Sequence, residues 1–209
     1  MSSQKRKYEL KVRAERQQQT RERIVAAALA LHEQVGPART TVAEIARRAG
    51  VQRLTVYNNF PDEKELFAAC QGHFFAAHPP PDPAPAFAIE DPAERLQTAL
   101  SGLYAWYRDA RQVISTSQRD RSLVPALDAL LVETVDRQLA ALGEALLTGW
   151  SPSDDAKRRL SVTIAIAIDF WTWQRMADMG LDDAEAAELM TDIAACVAKV
   201  GVLRKGSPK

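Results

Sequence analysis

The sequence predicts an all-α protein, and three observations lead to that prediction. Apolar residues recur at helical spacing along almost the whole chain. Runs rich in Val, Ile and Thr between turn residues are absent, as are Asn-Gly and Asp-Gly hairpin signals. The one strand-like stretch, "SVTIAIAIDF", lies inside a longer Ala- and Leu-rich helical pattern. We therefore expect about nine helices and no sheet.

The first 18 residues differ from the rest of the chain. They combine high charge, three consecutive glutamines and few apolar side chains, which predicts a basic arm that is disordered or loosely helical. No apolar segment follows the basic start as it would in a signal peptide, and no apolar run approaches the roughly 18 residues of a membrane span. We expect a cytoplasmic protein with no membrane partner.

Charge is divided unevenly along the chain, although the net charge is zero. Residues 1–60 contain twelve Lys and Arg against five Asp and Glu, whereas the remainder contains fifteen against twenty-two. A basic N-terminal part joined to an acidic body is the distribution expected when one end alone meets nucleic acid.

Four helices are predicted in the N-terminal part, over about 20–35, 41–50, 52–59 and 62–78. Gly36 and Pro37 end the first of them. Thr41 and Glu44 form a Thr-x-x-Glu capping box at the start of the second, and Gly50 can adopt the left-handed conformation that ends it. A short capped helix, a glycine turn and another short helix make a helix-turn-helix motif.

The proline-rich residues 79–85 predict an extended joint, because proline cannot continue a helix. Further helices are predicted over about 92–110, 112–118, 123–149, 155–179 and 183–203. The helix at 155–179 has two apolar stripes, one with Leu160, Ile164, Ala167, Ile168 and Trp171 and the other with Val162, Ile166, Phe170 and Trp173. A helix that is apolar on two sides is buried on two sides, so we expect a second subunit to cover one of them.

The second helix of the helix-turn-helix motif has little to bury. Val56, with Val51 and Phe60 beside it, is expected to face inward, which leaves a largely polar outward face. Gln and Asn can hydrogen-bond adenine, Arg can bond guanine, and a Tyr hydroxyl can bond phosphate. A merely solvated face is the alternative, but the basic charge and the capped, tight turn favour DNA. The predicted DNA-binding residues are Thr40, Thr41, Gln52, Arg53, Leu54, Thr55, Tyr57, Asn58, Asn59 and Lys64.

The stretch "TVAEIARRAGVQRLTVYNNFPDEKELFAA" resembles the DNA-binding domain of TetR-family transcriptional repressors, with a gap-free match from about Ile24 to Ala69. The resemblance implies an all-α homodimer. Its first helices would bind a palindromic double-stranded DNA operator, and its remaining helices would bind a small-molecule effector and dimerise. The chain would then consist of a basic arm (1–18), a helix-turn-helix DNA-binding domain (19–66) and a helical regulatory and dimerisation domain (67–209).

Three positions depart from the family's pattern. Gln52 stands where Ser is common, and Gln is a poorer N-cap. Asn59 replaces the usual His. Glu63 takes the place of a Lys that helps to hold a phosphate, and Lys64 follows one position later, about 100° further round the helix.

The C-terminal body contains no catalytic or metal-binding motif. His73 and His78 are five residues apart, which does not place two ligands on one helical face. No phosphate loop, nucleophile elbow or His-Glu-x-x-His pattern occurs, so we expect no enzyme activity, catalytic residue, metal or cofactor. The candidate effector-binding residues are Trp106, Tyr107, Gln118, Asp169 and Trp173.

Each of these candidates also has a structural interpretation. An aromatic stripe at helical spacing more often forms core than a binding pocket, and the Asp169 carboxylate can pair with Arg119 or Arg121. Two functions therefore remain open. One is a repressor released from DNA by a small apolar or aromatic molecule, with the helix at 62–78 coupling the two halves. The other is a ligand-independent architectural or partner-binding protein that sits on DNA.

Overall fold

The N-terminal part of the protein forms four helices around the predicted turn. The structure is a computed structural model that describes residues 2–205, with the side chains of 7–8, 10–154 and 156–199. Helix α1 covers Ser2–Gln34, and a 3₁₀ turn at Pro37–Arg39 leads to α2 (Val42–Ala49), α3 (Arg53–Asn59) and α4 (Glu63–Ala77). The remaining helices are α5 (Ala84–Phe87), α6 (Pro92–Asp120), α7 (Pro125–Leu131), α8 (Arg137–Leu146), α9 (Asp154–Ala167), α10 (Phe170–Asp178) and α11 (Asp183–Lys205). The described residues contain no strand, which confirms the predicted all-α fold class.

Helix α1 is longer than the sequence predicted. It includes residues 2–18, for which we predicted a disordered or loosely helical arm, and no break precedes Gln34. The segment contains neither Gly nor Pro and is rich in residues that favour helix. Contacts four residues apart also support it, among them the ion pair of Lys11 with Glu15 and the hydrogen bond from Gln18 to Glu22.

The chain divides into two compact units, and neither coincides with a predicted domain. The first unit comprises residues up to Pro79 together with Gln112–Leu131, and the second comprises Pro80–Arg111 together with the chain from Val132 onward. Helix α6 therefore contributes its first part to the second unit and its last nine residues to the first. Helix α4 lies wholly in the first unit, which corrects the expectation that it belongs to both halves.

The first unit is held by a core to which α1, α2, α3 and α4 all contribute. Its members are Ile24, Val25, Ala27, Ala28, Leu31, Ile45, Ala46, Ala49, Val56, Phe60, Leu66 and Cys70, all buried. Three short helices could not bury this much apolar surface individually, so the hydrophobic stabilisation of the motif depends on the packing against α1.

The second unit has a core rich in aromatic rings. Tyr104, Tyr107, Phe170 and Trp173 are all buried, and the Tyr107 ring lies 5.4 Å from Phe170 and 5.8 Å from Trp173 between ring centroids. We call these four residues, with Trp106 at the edge, the aromatic cluster. Tyr104 and Tyr107 donate their hydroxyl protons to the carbonyl oxygens of Ala167 and Ile168 at 2.6 and 2.7 Å. Those bonds satisfy carbonyl groups that the end of α9 leaves free.

The helix predicted over 155–179 is two helices with a break at Ile168 and Asp169. The Asp169 carboxylate accepts a hydrogen bond from the Thr172 backbone N–H and caps α10, so the helical phase restarts there. As a result Trp171, from the first stripe, is 43% exposed, whereas Trp173, from the second stripe, is buried. A continuous helix would have placed Trp171 on the buried side and Trp173 on the exposed side. Val162 and Ile166, in α9 before the break, are 52% and 48% exposed, as that stripe predicted.

Three other boundaries also differ from the prediction. Residues 92–110 and 112–118 form the single helix α6, because no helix breaker separates them. The region 123–149 is interrupted by a π-helical turn at Val132–Asp136. Inside the proline-rich joint, Ala84–Phe87 form a helical turn that begins where Asp82 accepts a hydrogen bond from the Ala84 N–H.

Candidate nucleic-acid interface

The turn between α2 and α3 has the geometry that the sequence predicted. Thr41 caps α2 by accepting a hydrogen bond from the Glu44 N–H at 3.2 Å. Gly50 is left-handed (φ 66°, ψ 40°), and Val51 N–H closes the turn onto the Ala46 carbonyl at 3.0 Å. The capping box is only half formed, because the Glu44 carboxylate binds the Arg47 guanidinium instead of returning to Thr41.

Helix α3 is fixed to the domain at its inner face and at its C-terminal end. Val56 and Phe60 are 2% and 3% exposed. Arg21 of α1 lies over the Phe60 ring at 4.0 Å from its centroid, and its guanidinium donates a hydrogen bond to the Asn59 carbonyl. Sequence reasoning missed Arg21 as a positioning residue. Its place one turn before Ile24, on the buried side of α1, was the signal available.

Most of the predicted outward face of α3 is exposed, with Thr55 and Asn59 as the half-buried exceptions. Gln52, Arg53 and Asn58 are exposed, and Leu54 and Tyr57 are 66% and 54% exposed. Gln52 is the N-cap residue, but its side chain makes no capping bond, as its poor capping tendency predicted. These side chains therefore project from the side of α3 that is opposite to the packed Val56.

The remaining predicted DNA-binding residues lie around this face and are more constrained. Thr55 is half-buried, and its carbonyl accepts a hydrogen bond from the half-buried Asn59 amide at 2.7 Å. The Thr40 hydroxyl donates to the Gly36 carbonyl, and the exposed Thr41 holds the cap of α2. Lys64 is exposed in the first turn of α4, whose N-terminus is capped by the Asp62 carboxylate.

The last turns of α6 support the loop that precedes α2. Asp120 is 3% exposed, and its carboxylate accepts hydrogen bonds from the Ala38 N–H at 3.0 Å and from Arg119. The Arg119 hydrogen bond, supported by the Ala38 N–H, lowers the pKa of Asp120 below its usual range against the opposing effect of burial. Gly36 closes the arrangement with φ +92°, where a Cβ would meet both side chains at 2.2 Å. No sequence pattern links positions 82 residues apart, so this support was not predicted.

His32 lies in the same part of the first unit and is 5% exposed. Its ring contacts that of Phe67, with 5.2 Å between centroids. Burial lowers the pKa of His32 to about 4, and the nearby Asp120 charge only partly opposes that effect. The imidazole is therefore neutral at pH 7.

The predicted effector-binding residues are only partly brought together. Tyr107 and Trp173 are buried in the aromatic cluster, Trp106 lies 5.7 Å from Tyr107 between centroids, and Asp169 caps α10 in the same unit. The Trp173 indole N–H donates to Asp183 at 3.1 Å. Gln118 belongs to the first unit and accepts a hydrogen bond from Arg121.

The partners expected for Asp169 are engaged elsewhere. Arg119 binds Asp120, and Arg121 binds Asp128 at 2.8 Å. Asp169 does have an intramolecular partner, as the structural interpretation required, but that partner is the backbone N–H of Thr172.

Across residues 2–205, no helix is long and apolar enough to cross a membrane. Among the side chains of 7–8, 10–154 and 156–199, no group of three or more His, Cys, Asp or Glu is arranged to hold a metal ion.

Comparisons with known proteins place the helix-turn-helix motif in a family. Residues 24–70 match the model for bacterial regulatory proteins of the tetR family. Over 55 residues the chain is 46% identical to an uncharacterized HTH-type transcriptional regulator of Mycobacterium bovis (strain ATCC BAA-935 / AF2122/97). That segment covers 26% of this chain and only 29% of the relative.

Two solved structures from Rhodococcus sp. RHA1 share the fold over most of the chain. One is a TetR-like transcriptional regulator (TM-score 0.59, 20% identity, covering 84% of this chain and 93% of that one). The other is a transcriptional regulator (TM-score 0.54, 23% identity, covering 87% of this chain and 96% of that one).

A capped helix, a left-handed glycine turn and a packed helix with an exposed polar face form a helix-turn-helix motif, of the kind by which many proteins bind DNA. Residues 24–70 are thus similar to the tetR family of bacterial regulatory proteins, over nearly the stretch that carried the resemblance in the sequence.

Proposed function

We propose that this protein regulates transcription by binding a pseudo-palindromic DNA operator as a homodimer, with α3 as the recognition helix. The observation that carries the proposal is the contrast between the two sides of α3. Its inner side is fixed by Val56, Phe60 and Arg21, whereas its outer side exposes Arg53, Leu54, Tyr57 and Asn58. A fixed helix that presents hydrogen-bonding groups can enter a major groove with little ordering cost.

The exposed residues divide into two roles by their chemistry and position. Gln52, Arg53 and Asn58 carry the amide and guanidinium groups that pair with base edges, and Leu54 can contact a thymine methyl group. Thr40, Thr41 and Lys64 lie at helix starts flanking α3, and with the Tyr57 hydroxyl they suit phosphate contacts.

The experiment that tests DNA recognition is selection of duplexes from a randomised pool, followed by footprinting of the selected site. A symmetric dimer yields a site with dyad symmetry. Arg53→Ala reduces the preference at one base pair in each half-site, by about 1–3 kcal/mol. Arg137→Ala is the control, since Arg137 is an exposed arginine of the second unit. A selection with no enriched sequence, or a footprint without dyad symmetry, contradicts the proposal.

The dimer is proposed to form through α9 and α11, within residues 155–203. Val162 and Ile166 of α9, and Leu189 and Ile193 of α11, are 41–52% exposed, and the two helices pack on each other within the second unit. An exposed apolar surface built from two adjacent helices is typical of a subunit interface.

Ile166→Asp tests the interface, because an unpaired buried carboxylate is costly. We expect dissociation to monomers in sedimentation velocity at micromolar concentration and loss of operator binding. Met179→Asp puts the same charge at a residue that is 78% exposed in the loop after α10, and should remain dimeric. If the protein without substitutions sediments as a monomer at this concentration, the proposed dimer is wrong.

We further propose that the regulator is a repressor released by a small apolar or aromatic molecule that binds at the aromatic cluster. Helix α6 suits the coupling role better than α4, because it supplies Tyr104 and Tyr107 to that cluster and Asp120 to the support of the helix-turn-helix. An effector acts only through a difference in affinity between the DNA-binding conformation and another.

Asp120→Asn tests this coupling. Operator affinity is titrated with aromatic compounds, while compound binding is followed separately by tryptophan fluorescence. The variant should bind the compound as the unchanged chain does but show a smaller fall in operator affinity. An identical fall in both proteins contradicts a role for the end of α6.

A ligand-independent architectural or partner-binding protein is the second candidate. The observation that favours it is the use of Tyr107, Asp169 and Trp173 in hydrogen bonds within the chain. An effector there would have to compete with these bonds. If no compound in a broad aromatic screen changes operator affinity, the second candidate is preferred.

A further inference from the structure

The N-terminal part of α1 extends beyond the packed first unit. The described side chains from Lys7 to Gln19 are exposed, apart from the half-buried Val12, whereas the buried face of α1 begins at Ile24. We call residues 7–19 the amino-terminal extension. At 1.5 Å per residue it is about 20 Å long. It also exposes Tyr8 and Leu10, by 69% and 60%.

A helix in this position gains little stability from packing against the rest of the first unit. Isolated helices of about this length are marginally stable in water, so a helix with no tertiary packing is stabilised further when a partner covers it. The ion pair of Lys11 with Glu15 spans 3.9 Å between exposed side chains and contributes little.

The charge of the extension identifies the kind of partner. It contains four bases, Lys7, Lys11, Arg13 and Arg16, against two acids, Glu9 and Glu15, so its net charge is +2. At about 100° per residue, Lys7 and Lys11 lie on one side of the helix. Arg13 and Arg16 lie on the other, so the line continuing the buried stripe of α1 runs between two basic rows. Such rows match a polyanion with closely spaced charges.

The position of the extension identifies which polyanion is within reach. Arg21 lies immediately before the packed part of α1 and binds the Asn59 carbonyl and the Phe60 ring at the C-terminal end of α3. The extension therefore leaves the first unit beside the end of the recognition helix. With α3 docked on DNA as proposed, the phosphates flanking the base pairs under it would lie close to that point.

We propose that the amino-terminal extension is a second DNA-binding element, which lies along the phosphate backbone flanking each half-site and adds contacts that are independent of sequence. The proposal rests on the proposed function, because it requires α3 to dock on DNA. The partner that covers the extension is the operator duplex itself. The alternative partner is the acidic surface of a second protomer.

The test compares the salt dependence of operator binding. In the fourfold variant, Lys7, Lys11, Arg13 and Arg16 are replaced by Gln, whose helix propensity is similar, so that the helix is retained. Each lost phosphate contact lowers the slope of log K against log salt by about 0.9. We expect a fall of about 2–4 in slope and an unchanged ratio of operator to scrambled-duplex affinity. The matched control, Arg137→Gln with Arg175→Gln, neutralises exposed cations of the second unit and should leave the slope unchanged.

A second measurement locates the contact. Operator duplexes are shortened from both ends, and the unchanged chain should lose the additional slope once the flanks are removed, whereas the fourfold variant should not respond. An unchanged slope in the fourfold variant, while the unchanged chain still selects an operator, overturns the extension alone. If the fourfold variant dissociates to monomers in sedimentation, the extension contacts the second protomer instead of DNA. That result also overturns the proposal. If the unchanged chain prefers no DNA sequence, the proposed function itself fails, and this inference fails with it.

Discussion

The outer face of α3 and the aromatic cluster use their polar groups in opposite ways. On α3, the polar ends of Gln52, Arg53 and Tyr57 are exposed on a helix that the core already fixes. In the cluster, the polar ends of Tyr107 and Trp173 are buried and bonded to Ile168 and Asp183. Binding at α3 therefore requires only desolvation, whereas binding in the cluster requires internal hydrogen bonds to be replaced. The difference makes α3 a surface ready for a partner and the cluster a structural core that a ligand would have to remodel.

The largest expected effect comes from removing the centre of the cluster. Trp173→Ala deletes a side chain that is 2% exposed and leaves Asp183 without its indole donor, so we expect a loss of about 3–5 kcal/mol in the free energy of unfolding. Leu54→Ala removes an exposed apolar side chain from α3 and should change stability by less than about 0.5 kcal/mol while weakening DNA binding. Urea unfolding followed by circular dichroism measures both. A loss below about 1 kcal/mol for Trp173→Ala would mean that the cluster is loosely packed and open to a ligand.

The next effect tests the support that α6 gives to the helix-turn-helix. Gly36→Ala forces a side chain into positive φ and displaces the Asp120 and Arg119 side chains, which should cost about 2–4 kcal/mol. Gly72→Ala is the matched control in α4, since nothing lies within 4 Å of its added Cβ, and it should stabilise the unit by about 0.5–1 kcal/mol. If the two variants have the same free energy of unfolding, the loop at Gly36 accommodates the added side chain without disturbing the Asp120 contact.

The turn before α3 and most of the exposure of its outer face could be predicted from the sequence because their determinants are local. Thr41, Gly50 and the polar run from Gln52 to Asn59 each specify their conformation or exposure within a few residues. The contact of Asp120 with Ala38 joins distant segments, and neither residue carries a local signal. The break at Asp169 was missed for a different reason. The apolar periodicity of "AIAIDFWTW" continues through it, and only the carboxylate's capping of Thr172 reveals that a new helix starts.

A smaller effect follows from the buried, neutral His32, which lies near Asp120. Its folded pKa of about 4 lies below the unfolded value of about 6.5, so the unfolded chain binds the additional proton as the pH falls. The contribution of neutral His32 is complete above about pH 6.5 and is lost progressively toward pH 4. Between pH 6.5 and pH 5 the loss is about 1.6 kcal/mol.

His32→Phe keeps a ring against Phe67 and should remove this part of the pH dependence. His73→Gln replaces an exposed histidine and should keep it. Urea titrations at the two pH values give the comparison. If His32→Phe and the unchanged chain lose the same stability between pH 6.5 and pH 5, another group is responsible.

The smallest expected effect separates the two kinds of contact on α3 itself. Tyr57 is 54% exposed, so Tyr57→Phe removes one hydroxyl without creating a buried gap, and stability should not change. If that hydroxyl donates to a phosphate, affinity falls by about 0.5–1.5 kcal/mol for operator and scrambled duplexes alike, because a phosphate carries no sequence information. Arg53→Ala instead lowers operator affinity more than scrambled affinity. Fluorescence anisotropy with both duplexes distinguishes the two patterns. A Tyr57→Phe effect confined to the operator would mean that the hydroxyl contacts a base edge. The whole outer face of α3 would then contribute to sequence recognition.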